Sequence, residues 1–203
     1  MTIKRINTGV LAAIALLMGS ISACKPDIYT PKPTGYFRVD TPATHTYQSF
    51  NNATFPYSFE YPRYAALESD SFFFSEKADN PYWLNIQIPC LSATINLTYK
   101  TINSATQFDK LVEDCYKLSF FHHEKADYID EHVFKTQSGV SGILYVVGGN
   151  AASKYQFTIT DSVHHFVRGA LYFNVTPNAD SLKPANDFLY QDIEHFIKTF
   201  KFK

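Results

Sequence analysis

The chain has 203 residues, with 18 Lys+Arg against 19 Asp+Glu and a formal net charge of −1 at pH 7. That balance excludes the basic excess that nucleic-acid binding requires. The length suits one domain with a real core, and 18 Phe and 14 Tyr supply side chains fit for packed strand faces.

The first 23 residues read as a secretory signal peptide. Lys4 and Arg5 form a charged start, and Gly9 to Gly19 is apolar and uncharged. This run is too short to span a bilayer as a helix, which needs about 20 apolar residues, and it ends in the small residues expected at a cleavage site. Ile21-Ser22-Ala23-Cys24 follows the pattern of a bacterial lipobox, with Ile21 where Leu is usual. The mature chain is expected to begin at Cys24, whose thiol can be alkylated to a thioether-linked diacylglycerol. Stable anchoring takes two acyl chains, one being marginal. Cleavage removes Lys4 and Arg5 and no acid, leaving 16 basic against 19 acidic residues, a net charge of −3. Residues 24–35 contain Pro26, Pro31 and Pro33 and form a semi-rigid tether, with a reach of roughly 30 Å at about 3.1 Å per residue. Residues 36–203 are expected to be a single domain.

In that domain Tyr36 to Asp40 reads as a short first strand. Phe55, Tyr57, Phe59 and Tyr61 then alternate, with Pro56 marking an edge or a strand start and Pro62 ending the run. Strands over Ser71–Ser75 and Trp83–Ile88 flank the turn residues Asp79-Asn80-Pro81. Ala93, Ile95, Leu97 and Tyr99 alternate with polar residues, the pattern of a half-buried strand. Ser104 with Gln107 makes a capping box for a helix whose apolar stripe is Phe108, Leu111, Val112, Cys115 and Leu118. Four strands follow, near 127–136, 140–148, 154–161 and 164–175. Val140 to Val147 is apolar on both faces and so reads as a central strand. The turns Gly148-Gly149-Asn150 and Asp161-Ser162 are short enough to demand antiparallel neighbours. A last helix is expected from about Pro184, a first-turn position, with the stripe Leu189, Ile193, Phe196, Ile197 and Phe200. The order predicts an α+β domain, an antiparallel sheet with helices packed on it. It resembles the Mog1/PsbP-like sandwich in element order.

Patterns that carry chemistry are missing. There is no His-Glu-x-x-His or Cys-x-x-Cys metal motif, no nucleophile elbow and no phosphate loop. His122, His123 and Glu124 read as a solvated helix end, and His164 and His165, adjacent on a strand, point to opposite faces. No enzyme activity, cofactor or metal is therefore expected. With Cys24 acylated, Cys90 and Cys115 are either one disulfide in an oxidising compartment or two separately buried thiols. Tyr29, Tyr36, Phe37 and Arg38 are candidate partner contacts. Arg38 and Arg168 read as the basic halves of buried ion pairs. Tyr61-Pro62-Arg63-Tyr64, Phe72–Phe74 and Tyr82-Trp83 are candidates for an aromatic face that binds glycan or peptide.

Tyr29-Thr30-Pro31-Lys32-Pro33-x-Gly35-Tyr36-Phe37-Arg38 and Phe55-Pro56-Tyr57-Ser58-Phe59-Glu60-Tyr61-Pro62 resemble GldD, the gliding-motility lipoprotein family of Bacteroidetes. So do Trp83-Leu84-Asn85-Ile86, the strand Thr94–Tyr99, the run Phe166–Phe173 and Asn178-x-Asp180-Ser181-Leu182-x-Pro184. The resemblance implies an envelope lipoprotein needed for gliding and linked to type IX secretion. It implies action alongside other gliding or secretion lipoproteins, without catalytic residues. Lys25-Pro26-Asp27 has one acid after the Cys, unlike the acidic tracts that export such proteins to the surface. The periplasmic face of the outer membrane is therefore favoured, over the inner membrane or the cell surface.

Overall fold

The computed structural model describes residues 39–69, 76–121 and 126–203, residues 72–73, and isolated Gly9 and Gly35; residues 72–73 and 76–77 are described as backbone alone. The chain divides into two units, Met1–Gly35 and Tyr36–Lys203, and the fold is that of the second. The expected signal segment, Cys24, Tyr29, Tyr36, Phe37, Arg38, His122, His123 and Glu124 lie outside the described residues. Val39 and Asp40, the described end of the expected first strand, have no regular structure.

The first observed strand, β1 (Tyr47–Phe50), pairs antiparallel with β2 (Tyr57–Pro62), placing Phe50 opposite Phe59. β2 starts directly after Pro56 and buries alternate residues, Tyr57 and Phe59 most fully. A second sheet begins with β3 (Ala66–Ser69), β6 (Leu84–Ile88) and β7 (Ala93–Thr101). Between β3 and β6 lies a two-residue ladder, β4 (Phe72–Phe73) with β5 (Glu76–Lys77); of the strand expected over 71–75, Ser71, Phe74 and Ser75 lie outside the described residues. α1 (Ala105–Phe120) follows β7. Its cap forms as expected: Ser104 Oγ accepts from Gln107 N–H at 3.2 Å, and Gln107 Oε1 accepts from Asn103 N–H at 2.8 Å.

The meander is β8 (Ala126–Lys135), β9 (Ser141–Gly149), β10 (Tyr155–Thr160) and β11 (His165–Phe173). Asp161 holds the last turn by accepting N–H bonds from Val163, His164 and His165, each 2.9 Å. Burial alone would raise the Asp161 carboxyl, but these bonds hold it below the usual carboxylate range. The seven-stranded sheet has the order β3-β6-β7-β11-β10-β9-β8, antiparallel at every step. β9 is therefore second from the edge, and the centre belongs to β11. β9 is covered on both sides near an edge because α1 overhangs one face.

α2 (Ala179–Thr199) starts five residues before Pro184. Asn178 Oδ1 caps it by accepting from Ser181 N–H at 2.9 Å, and Asn150 Oδ1 accepts from Ala179 N–H at 2.8 Å. Pro184 is tolerated in the second turn, where it removes a single ladder bond. The stripe Leu189, Ile193, Phe196, Ile197 and Phe200 is buried throughout. After α2, β12 (Lys201–Phe202) pairs with β2 and completes a three-stranded sheet, β1-β2-β12.

The two sheets and α2 enclose one core. Ile95, Leu97, Phe157, Ile159, Val167 and Leu171 come from the inner face of the large sheet, Tyr57 and Phe59 from β2, and the stripe from α2. Phe157 lies across Gly169, where a Cβ would stand 2.1 Å from its ring. The outer face of the same sheet is polar and carries α1. Ile102, Cys115 and Phe166 form a small second cluster there, with Phe108 and Leu111 against it. The rest of the expected α1 stripe is not buried: Val112 lies exposed and Leu118 is 51% accessible. The helix meets the sheet along one flank only.

Candidate functional site

Two buried charged side chains mark the two faces of the large sheet. On the inner side, Asp192 of α2 is 2% exposed. Its Oδ1 accepts from Tyr47 O–H at 2.9 Å and lies 2.8 Å from His45 Nδ1, and its Oδ2 accepts a short bond from Tyr64 O–H. Burial, reinforced by the carboxylate, pushes both phenols well above their ordinary range, so they remain donors. His45 stacks on Phe188, and Tyr47 stacks on His195, whose Nε2 is 2.7 Å from Glu60 Oε2. This cluster fastens the segment entering β1 to α2. Every oxygen of the buried acid has a donor, and the arrangement is that of a structural clasp.

On the outer side, α1 and the sheet frame an open groove of about 930 Å³. Leu111, Cys115, Leu118 and Phe121 line it from α1, Phe166, Arg168 and Tyr172 from β11, and Thr98 and Lys100 from β7. Trp83 closes one end; its Nε1 donates to Tyr99 O at 3.0 Å, and Lys100 Nζ lies 5.0 Å above its ring. The charged lining is Lys100, Lys110, Lys117 and Arg168 against Asp79 and Asp114, a net positive groove on a chain of net charge −1. Lys100 is bridged to Asp79 at 3.0 Å and Lys117 to Glu113 at 2.6 Å.

Arg168 is 9% exposed. It sits opposite Thr98 on one side and Thr158 on the other. Its Nη2 donates to Gln156 Oε1 at 2.7 Å, and among the described residues no carboxylate lies within ion-pair distance of it. The expectation of a buried ion pair is thus corrected: Arg168 is buried, but a neutral amide receives it. Gln156 is 1% exposed; its Oε1 also accepts from Ser119 Oγ at 3.5 Å, and its Nε2 has no partner. The floor of the groove is rich in donors and short of acceptors. Burial pushes the neighbouring Cys115 thiol up to about 11, against the opposing pull of Arg168.

The thiols do not form the disulfide that was one of the two alternatives. Cys90 is exposed on the 3-10 turn Pro89–Leu91 beyond β6, and Cys115 is buried under α1. Cys90 follows β6 on an exposed turn, while Cys115 packs with Phe166 under α1. The aromatic binding face is corrected where it is described: Trp83 is 1% exposed and Tyr61, Tyr64 and Tyr82 pack against the core, while the side chains of Phe72–Phe74 lie outside the described residues. Among the described residues no group of three or more His, Cys, Asp or Glu side chains could hold a metal, and no helix is long and apolar enough to cross a membrane.

The family described as gliding motility lipoprotein GldD matches residues 26–202. The chain belongs to the GldD family. The match spans every strand and helix described above, so Asp192 and Arg168 both lie in the family's domain. No curated protein sequence matches this GldD-family chain. A solved structure, cyanobacterial PsbP (CyanoP) from Synechocystis sp. PCC 6803, is similar to it with a TM-score of 0.49 and 10% identity, over 87% of this chain and 99% of that one.

Proposed function

We propose that this protein is an envelope lipoprotein, acylated at Cys24, that serves gliding motility and the linked type IX secretion through protein–protein contacts. The observation that carries the reading is the GldD-family match over residues 26–202, which begins two residues after the lipobox cysteine. The geometry supports contact over catalysis: the most buried acid is saturated by structural donors, and the largest groove presents apolar walls and cations. Residues 1–23 act as the signal, 24–35 as the tether and 36–203 as the contact domain, facing the periplasm from the outer membrane. Tyr29, Tyr36, Phe37 and Arg38, next to the lipid, are a docking segment for other gliding or secretion lipoproteins.

The test is a clean deletion complemented with wild-type or Cys24→Ser alleles. The deletion is expected to stop gliding and to leave type IX cargo inside the cell, and Cys24→Ser is expected not to restore either. Normal motility and secretion in the deletion would overturn the reading.

A second reading, a lipid-anchored binding module for peptide, is favoured by the groove under α1 and is compatible with the first if the peptide belongs to a machinery component.

A further inference from the structure

Among the described residues, Arg168 and Gln156 bring to one place a buried cation without a counter-charge and a buried amide N–H₂ without an acceptor. Each is costly alone: a buried polar group is normally hydrogen-bonded, and a buried charge is normally paired. Turning the Gln156 amide cannot mend this, because its oxygen already receives Arg168 and Ser119. Both deficits have the same remedy, an anionic acceptor entering from the groove. A guanidinium offers two parallel N–H donors, the geometry that suits a carboxylate. Lys110, on the groove wall, likewise has no carboxylate within ion-pair distance among the described residues.

We infer that the groove between α1 and the outer sheet face receives an apolar peptide segment of a partner protein, and that an acidic side chain of that segment docks on Arg168 and Gln156. Charge complementarity selects the acid. The apolar flanks are selected by Leu111, Leu118 and Phe166, which wall the groove. The surface favours a peptide over a fatty acid. The groove is open to solvent, and its apolar rim stays exposed at Leu118 and Phe121. A broad chain covers such a rim, while a single acyl chain would stay half wet. The inference rests on the proposed contact role and gives that role its chemistry.

The sequence holds one tryptophan, Trp83, which lines the groove, so occupancy can be read from its fluorescence. A random dodecapeptide library is panned on the full chain in detergent micelles, and selected peptides are titrated against the protein. Selected peptides are expected to carry Asp or Glu between apolar residues, to shift Trp83 emission, and to lose at least tenfold in affinity when their acid is changed to the amide. Arg168→Met should cause a similar loss. Leu118→Asp, at an exposed rim position where folding is not at stake, should weaken binding by like-charge repulsion. No selection above empty micelles, peptides without an acid, or affinity unchanged in both variants would each overturn the inference. So would dodecanoate shifting Trp83 emission and displacing the peptides, which would make the site one for a lipid carboxylate. The titration is independent of motility: a chain that binds such peptides in a strain whose deletion still glides would spare the groove and sink the gliding role.

Discussion

Asp192 and Arg168 are buried to a similar depth on opposite faces of one sheet, yet their surroundings differ. The acid has two tyrosine hydroxyls and a histidine around it. The base has one amide oxygen, and behind that an amide nitrogen with nothing to donate to. A fold that wants only stability completes the set of partners around a buried charge, as it does at Asp192. Arg168 faces the open groove, where the inferred acidic side chain would complete its partners. The inner face is closed by its own donors, and the outer face is not.

Three substitutions break or sharpen that contrast. Asp192→Ala should have the largest effect, leaving three half-buried donors without their shared acceptor and costing about 3 kcal/mol, measured by urea unfolding. Gly169→Ala, on β11 beside Arg168 but facing inward, should cost about 2 kcal/mol from overpacking against Phe157. Arg168→Met should have the smallest effect, between no change and a gain of about 1 kcal/mol, since an uncompensated buried charge gives way to an apolar chain. An Arg168→Met loss as large as that of Asp192→Ala would show that both charges are structural, and the contrast would fall.

Much of this was legible in the sequence. The α2 stripe, the Ser104 cap and the β7 alternation follow from periodicity, and each lies where side-chain spacing alone decides burial. β1 was not legible, because Tyr47-Gln48-Ser49-Phe50 has no alternation and becomes a strand only by pairing with β2. The exposure of Val112 and Leu118 was not legible, because periodicity shows which side of a helix is apolar, not how much sheet lies beneath it. Asp192 carried a signal: three residues after Leu189 and four before Phe196, it sits within the apolar stripe, where a lone acid needs partners. Arg168 could be read as buried, but its amide partner could not be foreseen, since Gln156 reaches it only through the β10–β11 register.

β12 has a consequence for time as well as space. Phe202 pairs with Tyr57 and Lys201 with Ser58, and Lys203 Nζ donates to Asn52 O at 2.6 Å. The strand between β1 and β12 thus waits for residues more than 140 positions later in the chain. Contacts this distant in sequence are slow to form, because the loop must close before the pairing rewards it. A chain emerging from its N-terminus holds the aromatic ridge of β2 open until Lys201 and Phe202 have emerged, and that ridge is where misassembly would begin.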